Sequence, residues 1–383
     1  MAMTIGVDIR VLLDAQYSGV AEYTLNLLQA LIKEDKLNHY VLFYNSAKNL
    51  EANLPKFEAL NVRLVARHWP NKFLNYGCFK FLNRPKLDTL MGEKLDVCWL
   101  PHFNFVAWPK AKNILTIHDL SFLLYPEFFS VRKNFWHRQL NVSKLVRGAD
   151  NLIAISENTK RDIVALTGFA AEKISVVYSG VSADYRPLAK DDSSLLAVKQ
   201  KYNLPDKFIL YLGTIEPRKN LVGLIEAYNY LRKQYSALAE VKLVLAGGDG
   251  WKYKAIYRSA KNSAFREDIK FLGYVATADK VALYNLAKVF VFPSFYEGFG
   301  FPPLEAMASG TPVVASFASS LPEVVAEAGI LVDPYNSADI GEATAQILLS
   351  VDLSQQLSQA GLIRAKNFSW EKTAKQYLEI FKI

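Results

Sequence analysis

The sequence predicts an α/β protein made of two doubly wound halves, each with a parallel sheet. The chain has 383 residues, more than one typical core, and it fits two domains of about 100–200 residues each. Short apolar runs alternate with longer helical stretches throughout, as expected for parallel sheets covered on both faces. A polar segment with glycine and proline, Ser179–Asp192, separates the two series and is the candidate linker.

Thirteen short apolar segments are predicted to be strands. Seven lie in the first half: Ile5–Ile9, Tyr40–Tyr44, Val62–Ala66, Val97–Leu100, Ile114–Ile117, Leu152–Ile155 and Ile174–Val177. Six lie in the second half: Phe208–Leu212, Lys242–Ala246, Ile269–Leu272, Val289–Phe292, Val313–Ala315 and Ile330–Val332. Helical patterns fill the gaps, notably at Val20–Ile32, Arg132–Arg147 and Glu157–Leu166. Ligands bind beyond the carboxyl ends of such strands, so two hinged sheets would present these edges to each other across a cleft.

Composition excludes several classes of protein. Half of the residues (51%) are hydrophobic and 21% are charged, which permits a large core and argues against disorder. The only cysteines, Cys78 and Cys98, give no paired framework, which favours a reducing compartment. Charges interrupt the N-terminus too early for a signal peptide, and no uncharged apolar stretch reaches the ~18–20 residues of a spanning helix. We therefore expect a cytoplasmic protein, either soluble or held at the inner face of the membrane.

Positive charge is concentrated in the first half. The net charge is +8, and residues 1–186 carry 23 Lys+Arg against 17 Asp+Glu. Nucleic acid, an anionic membrane or an ordinary soluble surface would each account for this excess. A nucleic-acid-binding protein would need a concentrated basic face, and the chain has no nucleic-acid motif, so nucleic acid is not an expected partner.

The loop after Phe208–Leu212 is a candidate anion site. It begins at Gly213 and brings Arg218 and Lys219 to the start of a helix that runs to about Lys233. Free amides at a helix start attract anions, whereas cations are disfavoured there unless something negative is bound. Arg218 offers a planar fork of donors and Lys219 a mobile charge, which together suit a diphosphate. The plain alternative is a solvated helix start with a surface Arg-Lys pair.

A second candidate site follows Val289–Phe292, where seven residues separate Glu297 from Glu305. Glu297 lies in a loop with glycines at 298 and 300, and Glu305 lies inside a helix predicted from about Phe301 to Ser309. Glycine lets the backbone approach a ligand closely, and the amides after it can hold phosphate oxygens. Apolar neighbours surround Glu305, and an acid in such a place usually has a partner. The alternative is a pair of solvent-facing acids.

These motifs resemble the retaining glycosyltransferases of the family-4 type (group 1), which have the GT-B fold of two Rossmann-like domains. The E-x7-E pattern matches Glu297 and Glu305, and the resemblance extends to Glu216–Asn220, Ser320–Val324 and Gly329–Pro334. It is similar in particular to bacterial mannosyltransferases of polysaccharide assembly. The resemblance implies an acceptor-binding domain at 1–185, a donor-binding domain at 186–368, and a final helix at 369–383 that returns to the first domain.

The resemblance also implies roles for individual residues. Arg218 and Lys219 would neutralise the diphosphate of a nucleotide-sugar donor, Glu297 would hold donor-sugar hydroxyls, and Glu305 would hold the ribose. The remaining donor contacts implied are the amides of Phe299, Gly300 and Phe301 to the distal phosphate, the backbone of Tyr274 and Val275 to the base, and the loops at Gly19 and Gly213. GDP-mannose is the favoured donor and a UDP-sugar the next. No separate cofactor is expected, and because no Asp-x-Asp metal motif is present, neither is a metal.

His118 ends the strand Ile114–Ile117, and in the family a His-Asp pair at this place lines the donor pocket. From the residues alone, a histidine that caps a sheet edge is the more common situation, although His118 could donate to a sugar hydroxyl or balance developing charge.

The stretch Arg63–Lys94 stands apart, with seven Lys+Arg, two Asp+Glu and five aromatic residues. Aromatics among cations suit an anionic lipid surface, whereas a buried helix with basic ends is the alternative. The expected activity is transfer of a hexose from a nucleoside diphosphate to a glycan or polyprenyl-linked acceptor. A sugar-nucleotide epimerase of the same fold remains the alternative enzyme.

Overall fold

The computed structural model describes residues 2–13, 19–48 and 54–382, and these divide into two compact units. The first unit comprises Met1–Leu120, Arg132–Gly180 and Ser369–Ile383, and the second comprises Ser121–Val131 and Val181–Phe368. Each unit contains one parallel sheet with helices, which confirms the predicted fold class.

All thirteen predicted strands are present. The first sheet contains β1 (Thr4–Asp8), β2 (His39–Asn45), β3 (Val62–Arg67), β4 (Val97–Leu100), β5 (Lys112–Ile117), β6 (Asn151–Ala154) and β7 (Ile174–Val176), in the spatial order β3-β2-β1-β4-β5-β6-β7. The second contains β8 (Phe208–Leu212), β9 (Lys242–Ala246), β10 (Ile269–Gly273), β11 (Val289–Phe292), β12 (Val313–Ser316) and β13 (Ile330–Val332), in the order β10-β9-β8-β11-β12-β13. In both orders the direction reverses beside the first strand of the sheet, which is where such folds bind ligands.

The helices follow the strands in turn. Those of the first unit include α1 (Gly19–Glu34), α2 (Leu87–Met91), α4 (Val131–Leu140), α5 (Val142–Arg147), α6 (Glu157–Thr167) and α15 (Trp370–Lys382). The others are α3 (Ser121–Leu124), α7 (Ser193–Lys201), α8 (Leu221–Gln234), α9 (Lys254–Asn262), α10 (Thr277–Leu286), α11 (Phe301–Ala308), α12 (Leu321–Val325), α13 (Ser337–Leu349) and α14 (Val351–Ala365). A π-helical segment covers Phe73–Leu82, and 3₁₀ turns cover Arg10–Leu13 and Pro217–Lys219.

The predicted single helix Arg132–Arg147 is wrong, because Asn141 separates α4 from α5. Its φ of 51° is left-handed, a conformation that asparagine tolerates better than most residues. Its side-chain oxygen accepts a hydrogen bond from the Lys144 amide at 3.2 Å and so caps α5. The break therefore has a local cause in one residue.

The core of each unit lies on its central strands. Strands β4, β8 and β11 are buried along their whole length, which is why they read as continuous apolar runs rather than as an alternating pattern. In the first unit α15 packs on α1, and the buried hydroxyls of Tyr23 and Tyr377 are hydrogen-bonded at 2.6 Å. Thr116 extends this link, since its hydroxyl lies 2.7 Å from that of Tyr377.

Two further expectations concern the cysteines and the absence of a membrane-spanning helix. Cys78 and Cys98 are both buried and free. Across the described ranges, no helix combines the length and the apolar character that crossing a membrane requires.

Candidate active site

The candidate donor site is built at the switch point of the second sheet. There β8 and β11 are neighbours, and the chain continues from β8 to β9 on one side and from β11 to β12 on the other side. Arg218 and Lys219 lie in the loop after β8, and Glu297 lies in the loop after β11. The topology alone therefore brings together residues almost eighty positions apart in the chain.

The loop after β8 is fastened to the loop after β11 by backbone and side-chain hydrogen bonds. The Phe295 amide donates to the Arg218 carbonyl at 2.9 Å. Asn220, with a left-handed φ of 57°, donates through its side-chain amide to the carbonyls of Pro293 (3.1 Å) and Pro334 (2.6 Å). Because these bonds are buried, the position of the Arg218-Lys219 pair is set by the fold and not by the pair itself.

Four charged side chains form one cluster at this point, three of them buried and the fourth, Arg218, with a side chain that is 13% exposed. Lys219 Nζ donates to Glu297 Oε1 at 2.6 Å, and Arg218 Nη1 lies 3.0 Å from Glu297 Oε2. Arg218 also donates to Glu216 Oε1 through Nε (3.2 Å) and Nη2 (2.9 Å), and through Nη1 to the Tyr296 carbonyl (2.6 Å). We call these residues, Glu216, Arg218, Lys219 and Glu297, the ion cluster. Glu216 belongs to a motif that the resemblance covered, but no role had been assigned to it.

Burial makes the ion cluster sensitive to charge. Glu216 is 1% exposed, and Lys219 and Glu297 are each 8% exposed. Burial acts to raise the pKa of the Glu297 carboxyl, but the opposing charges of Arg218 and Lys219 outweigh it, and the pKa lies below its ordinary value. Two cations and two carboxylates give no net charge, so a polyanion that enters must compete with the carboxylates for Arg218 and Lys219.

Two serines that sequence reasoning missed hold the Glu297 backbone. The Glu297 amide donates to Ser319 Oγ at 2.8 Å, and Ser320 Oγ lies 2.8 Å from the Glu297 carbonyl and 2.7 Å from that of Phe299. Ser320 belongs to the motif Ser320–Val324, whose resemblance was noted without a function. These contacts fix the loop on both sides of Gly298.

Gly300 ends this loop and begins α11. Its φ is 128°, and a Cβ there would lie 2.9 Å from Leu321 Cδ2, so both backbone conformation and space favour glycine. The first turn of α11 contains Pro302 and Pro303, which have no amide hydrogen. Of the residues named from the resemblance, Gly300 and Phe301 thus carry the amide hydrogens at the start of this helix, and Phe299 directly precedes them.

Glu305 lies inside α11, as predicted, and is buried. Its Oε2 accepts a hydrogen bond from the hydroxyl of Tyr284 on α10 at 2.8 Å. Tyr284 is itself buried, and its carbonyl accepts from Thr311 Oγ1 at 2.8 Å. No short-range pattern indicated Tyr284, because it lies 21 residues before its partner.

The remaining predicted donor residues lie along the same sheet edge. Gly213 directly follows β8, and its amide donates to the Ala246 carbonyl at 2.9 Å. A Cβ on Gly247 would lie 1.9 Å from the Gly213 carbonyl oxygen, so the close approach of these two loops requires glycine at 247. Tyr274 (51% exposed) and buried Val275 follow β10, the edge strand, and are two strands away from β8.

In the first unit, His118 follows β5. Its Nε2 lies 2.8 Å from the Pro101 carbonyl, which can only accept, so this nitrogen carries the proton in the neutral ring. Burial lowers the pKa of His118, which favours that neutral form. The edge of the ring packs against Tyr23 at 4.7 Å. Gly19 is the exposed first residue of α1, and Ser18 before it lies outside the described residues.

Sequence reasoning missed a charged group at the same edge of the first sheet. Asp8, the fully buried last residue of β1, forms a salt bridge of 2.5 Å with Arg10. His102 follows β4, and burial lowers its pKa to about 4. The signal available was the position of these residues directly after predicted strands, where ligands bind in such folds.

Among the residues that the structure describes, no three His, Cys, Asp or Glu side chains are grouped so that they could hold a metal ion.

Family models and a related protein of known activity both identify the chain as a glycosyltransferase. Residues 195–364 match the family described as Glycosyl transferases group 1, and residues 17–185 match Glycosyltransferase Family 4. The chain is 32% identical over 379 residues to O-antigen chain mannosyltransferase B of Escherichia coli, which covers 96% of each protein.

Solved structures support the fold. Sucrose-phosphate synthase from Thermosynechococcus elongatus has a TM-score of 0.76 at 21% identity, with 99% of this chain and 98% of that chain covered. Anabaena HepE in complex with UDP and glucose has a TM-score of 0.74 at 19% identity, with 99% of both chains covered. The fold is therefore GT-B, and the chain belongs to the group 1, family-4-type glycosyltransferases and is a hexosyltransferase.

Proposed function

We propose that the enzyme transfers mannose from GDP-mannose to a hydroxyl of a glycan or polyprenyl-linked acceptor, with retention of anomeric configuration. The observation that carries the proposal is the buried ion cluster at the switch point of the second sheet, in a chain that is 32% identical to an O-antigen chain mannosyltransferase. That similarity favours mannose, and a UDP-sugar is the next candidate.

The leaving group explains the need for two cations, one buried and one partly buried. When the bond between sugar and phosphate breaks, negative charge develops on the departing diphosphate. Arg218 and Lys219 would stabilise that charge in a site shielded from water, which is where preorganised charge is most effective. Arg218 is preorganised by its two hydrogen bonds to Glu216, and these do not depend on Glu297.

Glu297 would then have two partners in succession. Without a diphosphate it balances Arg218 and Lys219. A bound diphosphate supplies that balance instead, which releases the Glu297 carboxylate to accept hydrogen bonds from hydroxyls of the donor sugar. The hydrogen bond that the Glu297 amide donates to Ser319 and the one that Ser320 donates to the Glu297 carbonyl keep the backbone in place while the side chain changes partner.

The other donor contacts follow the sheet edge. Glu305, held by Tyr284, would accept from the two ribose hydroxyls, and the amides of Phe299, Gly300 and Phe301 would hold the distal phosphate. Tyr274 and Val275, after β10, would pair with the base through their backbone. The loops at Gly213 and Gly19 would approach the phosphates closely.

His118 would contact the transferred sugar. With Nε2–H donated to Pro101, its remaining ring nitrogen is an acceptor in the neutral form, so it would accept from a sugar hydroxyl. We assign no protein nucleophile. A donor phosphate oxygen would take the acceptor proton as the acceptor attacks the same face of the sugar. Arg218 and Lys219 would supply the positive charge, so the reaction would need no divalent ion.

We also propose that Arg63–Lys94 contacts an anionic membrane from the cytoplasmic side. Phe73, Phe81 and Leu82 are exposed on the π-helical segment, and Lys72 and Arg84 flank it. Flotation with vesicles that contain anionic lipid would measure this contact, and vesicles of neutral lipid are the control. Equal recovery with both vesicle types would contradict it.

The donor proposal is tested first by nucleotide. Thermal unfolding is followed with GDP, UDP and ADP, and GDP is expected to raise the melting temperature at the lowest concentration, because a ligand of the folded state stabilises in proportion to ln(1 + [L]/Kd). Stabilisation by UDP or ADP alone would show that the donor carries uracil or adenine instead of guanine.

The reaction is then tested by product. Mass spectrometry of GDP-mannose incubated with a glycan acceptor should show an acceptor one hexose heavier and free GDP. Conversion of the nucleotide sugar without transfer would identify the epimerase instead. Lys219→Ala is expected to abolish transfer and leave the fold intact, and unchanged turnover in that variant would contradict the assigned roles.

A further inference from the structure

The first unit contains a cavity of about 460 Å³ that is separate from the residues assigned to the donor site. This volume is within the range of about 300–1,000 Å³ that is typical of small-molecule sites. Its floor is apolar and aromatic, formed by Phe79, Phe105, Trp108, Leu140 and Leu145. Since Phe79, Phe105, Leu140 and Leu145 are buried, the floor is part of the packed core and not a loose surface.

The rim of the cavity is basic. Lys80, Lys86 and Lys144 line it, and no Asp or Glu is among its described lining residues. The Lys80 ammonium donates to Gln139 Oε1 and lies 5.5 Å from the centre of the Phe81 ring. A ligand that fills this cavity would therefore place apolar atoms at the bottom and an anionic group at the rim.

The cavity opens onto exposed apolar side chains. Phe81 lines it and is 74% exposed. On α4, Phe135 is 59% exposed and lies one turn before Gln139, so the two residues share a helix face beside the cavity. An apolar chain too long for the cavity would continue over Phe81 and Phe135 instead of entering water.

The cavity also adjoins the carboxyl edge of the first sheet. The carbonyl of Phe105, a floor residue, accepts from Arg10 Nη2 at 2.8 Å, and the Phe105 ring packs on Tyr76 at 5.1 Å. Arg10 follows β1, so the cavity lies next to the edge that also carries His102 and His118. A ligand anchored in the cavity would extend toward that edge.

We propose that this cavity binds the prenyl-phosphate part of a lipid-linked acceptor, with isoprenoid on the aromatic floor and phosphate on Lys86 and Lys144. The choice of a phosphate-headed lipid rests on charge complementarity, because an uncharged sugar or alcohol would make no use of a rim with three lysines and no acid. That the lipid is the acceptor rests on the proposed function.

The test uses the full chain and farnesyl phosphate as the probe, followed by the fluorescence of Trp108 in the floor. Saturable binding is expected in the wild type and in Lys173→Glu, an exposed lysine of the same unit outside the cavity. The double variant Lys86→Glu/Lys144→Glu should bind at least tenfold more weakly, and Trp108→Phe should lose the signal. Unfolding by circular dichroism confirms that each variant is folded.

Three results would overturn the proposal: no saturable binding by the wild type, equal binding by the double variant and Lys173→Glu, or equal binding of farnesol and farnesyl phosphate. Inorganic phosphate that competes at the same concentration as the lipid would also overturn it, because the site would then recognise phosphate alone.

A separate readout distinguishes this site from the donor site. Stabilisation by GDP and transfer to a water-soluble glycan acceptor should be unchanged in the double variant. If the wild type showed neither stabilisation by GDP nor transfer to the soluble acceptor, the proposed function would be refuted, whereas lipid binding by the cavity would be unaffected by that result.

Discussion

Replacing Glu297 by glutamine should lower the stability of the folded protein and at the same time raise its affinity for a diphosphate. The substitution keeps the shape of the side chain and removes its charge, which leaves partly buried Arg218 and buried Lys219 with Glu216 as the one carboxylate of the ion cluster. Breaking a buried ion pair costs about 3–5 kcal/mol, and we take the lower end because glutamine still accepts a hydrogen bond. For a unit of roughly 200 residues this corresponds to a fall of about 6–12 °C in melting temperature.

A bound diphosphate should reverse part of this loss. In the wild type it competes with Glu297 for two cations, and in the variant the competitor is neutral. Removing one charge-assisted contact of about 1.5–3 kcal/mol from the competitor implies a roughly 10- to 150-fold tighter GDP complex. At a GDP concentration 100 times the wild-type Kd, the stabilisation would rise from about 2.7 to at least about 4.1 kcal/mol. Transfer from GDP-mannose should nevertheless fall, because the neutral glutamine oxygen accepts hydrogen bonds from the sugar hydroxyls more weakly than the carboxylate does.

Thermal unfolding with and without GDP, combined with calorimetric titration of GDP, measures both effects. Glu267→Gln is the matched control, since that side chain is 88% exposed and should change stability by no more than about 0.5 kcal/mol. A variant that melts like the wild type, or that binds GDP no more tightly, would show that Glu297 does not compete with the diphosphate. The reasoning about the ion cluster would then be wrong.

Three further predictions concern single side chains. Tyr284→Phe removes the hydrogen bond to Glu305 and should raise KM for the donor about 5- to 10-fold with little change in kcat, measured by initial rates; a loss confined to kcat would contradict uniform ribose binding. Gly300→Ala places a Cβ 2.9 Å from Leu321 at a φ of 128°, so transfer and GDP binding should both decrease, while the circular dichroism spectrum should show that the protein is still folded. Normal GDP binding by this variant would argue against this loop as a phosphate site. Burial lowers the pKa of His102 to about 4 in the folded state, against 6.5 in the unfolded state, so the unfolded state takes up the proton first as the pH falls. The free energy of unfolding should therefore keep its full value above pH 6.5 and decrease by roughly 3 kcal/mol toward pH 4. Urea unfolding at pH 7 and 4.5 should show a smaller difference in His102→Gln, and an equal difference would refute the assignment.

The strands could be predicted, and the loops of the candidate site could be located, because the causes of both are local. A buried parallel strand needs a continuous apolar run, and the loops that follow carry charged and glycine residues in short motifs. Arg218, Lys219 and Glu297 were identified in this way, and the switch point then explains why the structure brings them together.

Other features had no local cause and could not be predicted. The segment Ser121–Val131 comes from the first half of the chain but packs with the second unit, where Phe128 stacks on Phe295 at 5.6 Å and its carbonyl accepts from the Trp251 indole. Such docking depends on shape and partners distant in sequence. Asp8 was hidden for a related reason, because a single acid at the end of an apolar run looks the same whether it is solvated or paired with Arg10.

The ion cluster is better explained by binding than by stability. A buried ion pair is weak evidence for stability, because apolar residues of similar size often serve as well. The two carboxylates together balance the charges of Arg218 and Lys219, so their number alone does not indicate a function. They are not equivalent, however, because Glu216 fixes the orientation of Arg218 through Nε and Nη2, whereas Glu297 bridges both cations through separate oxygens. An anion that enters could therefore displace Glu297 while Glu216 keeps Arg218 oriented toward it, and the proposed binding and release of a diphosphate requires such a division of roles.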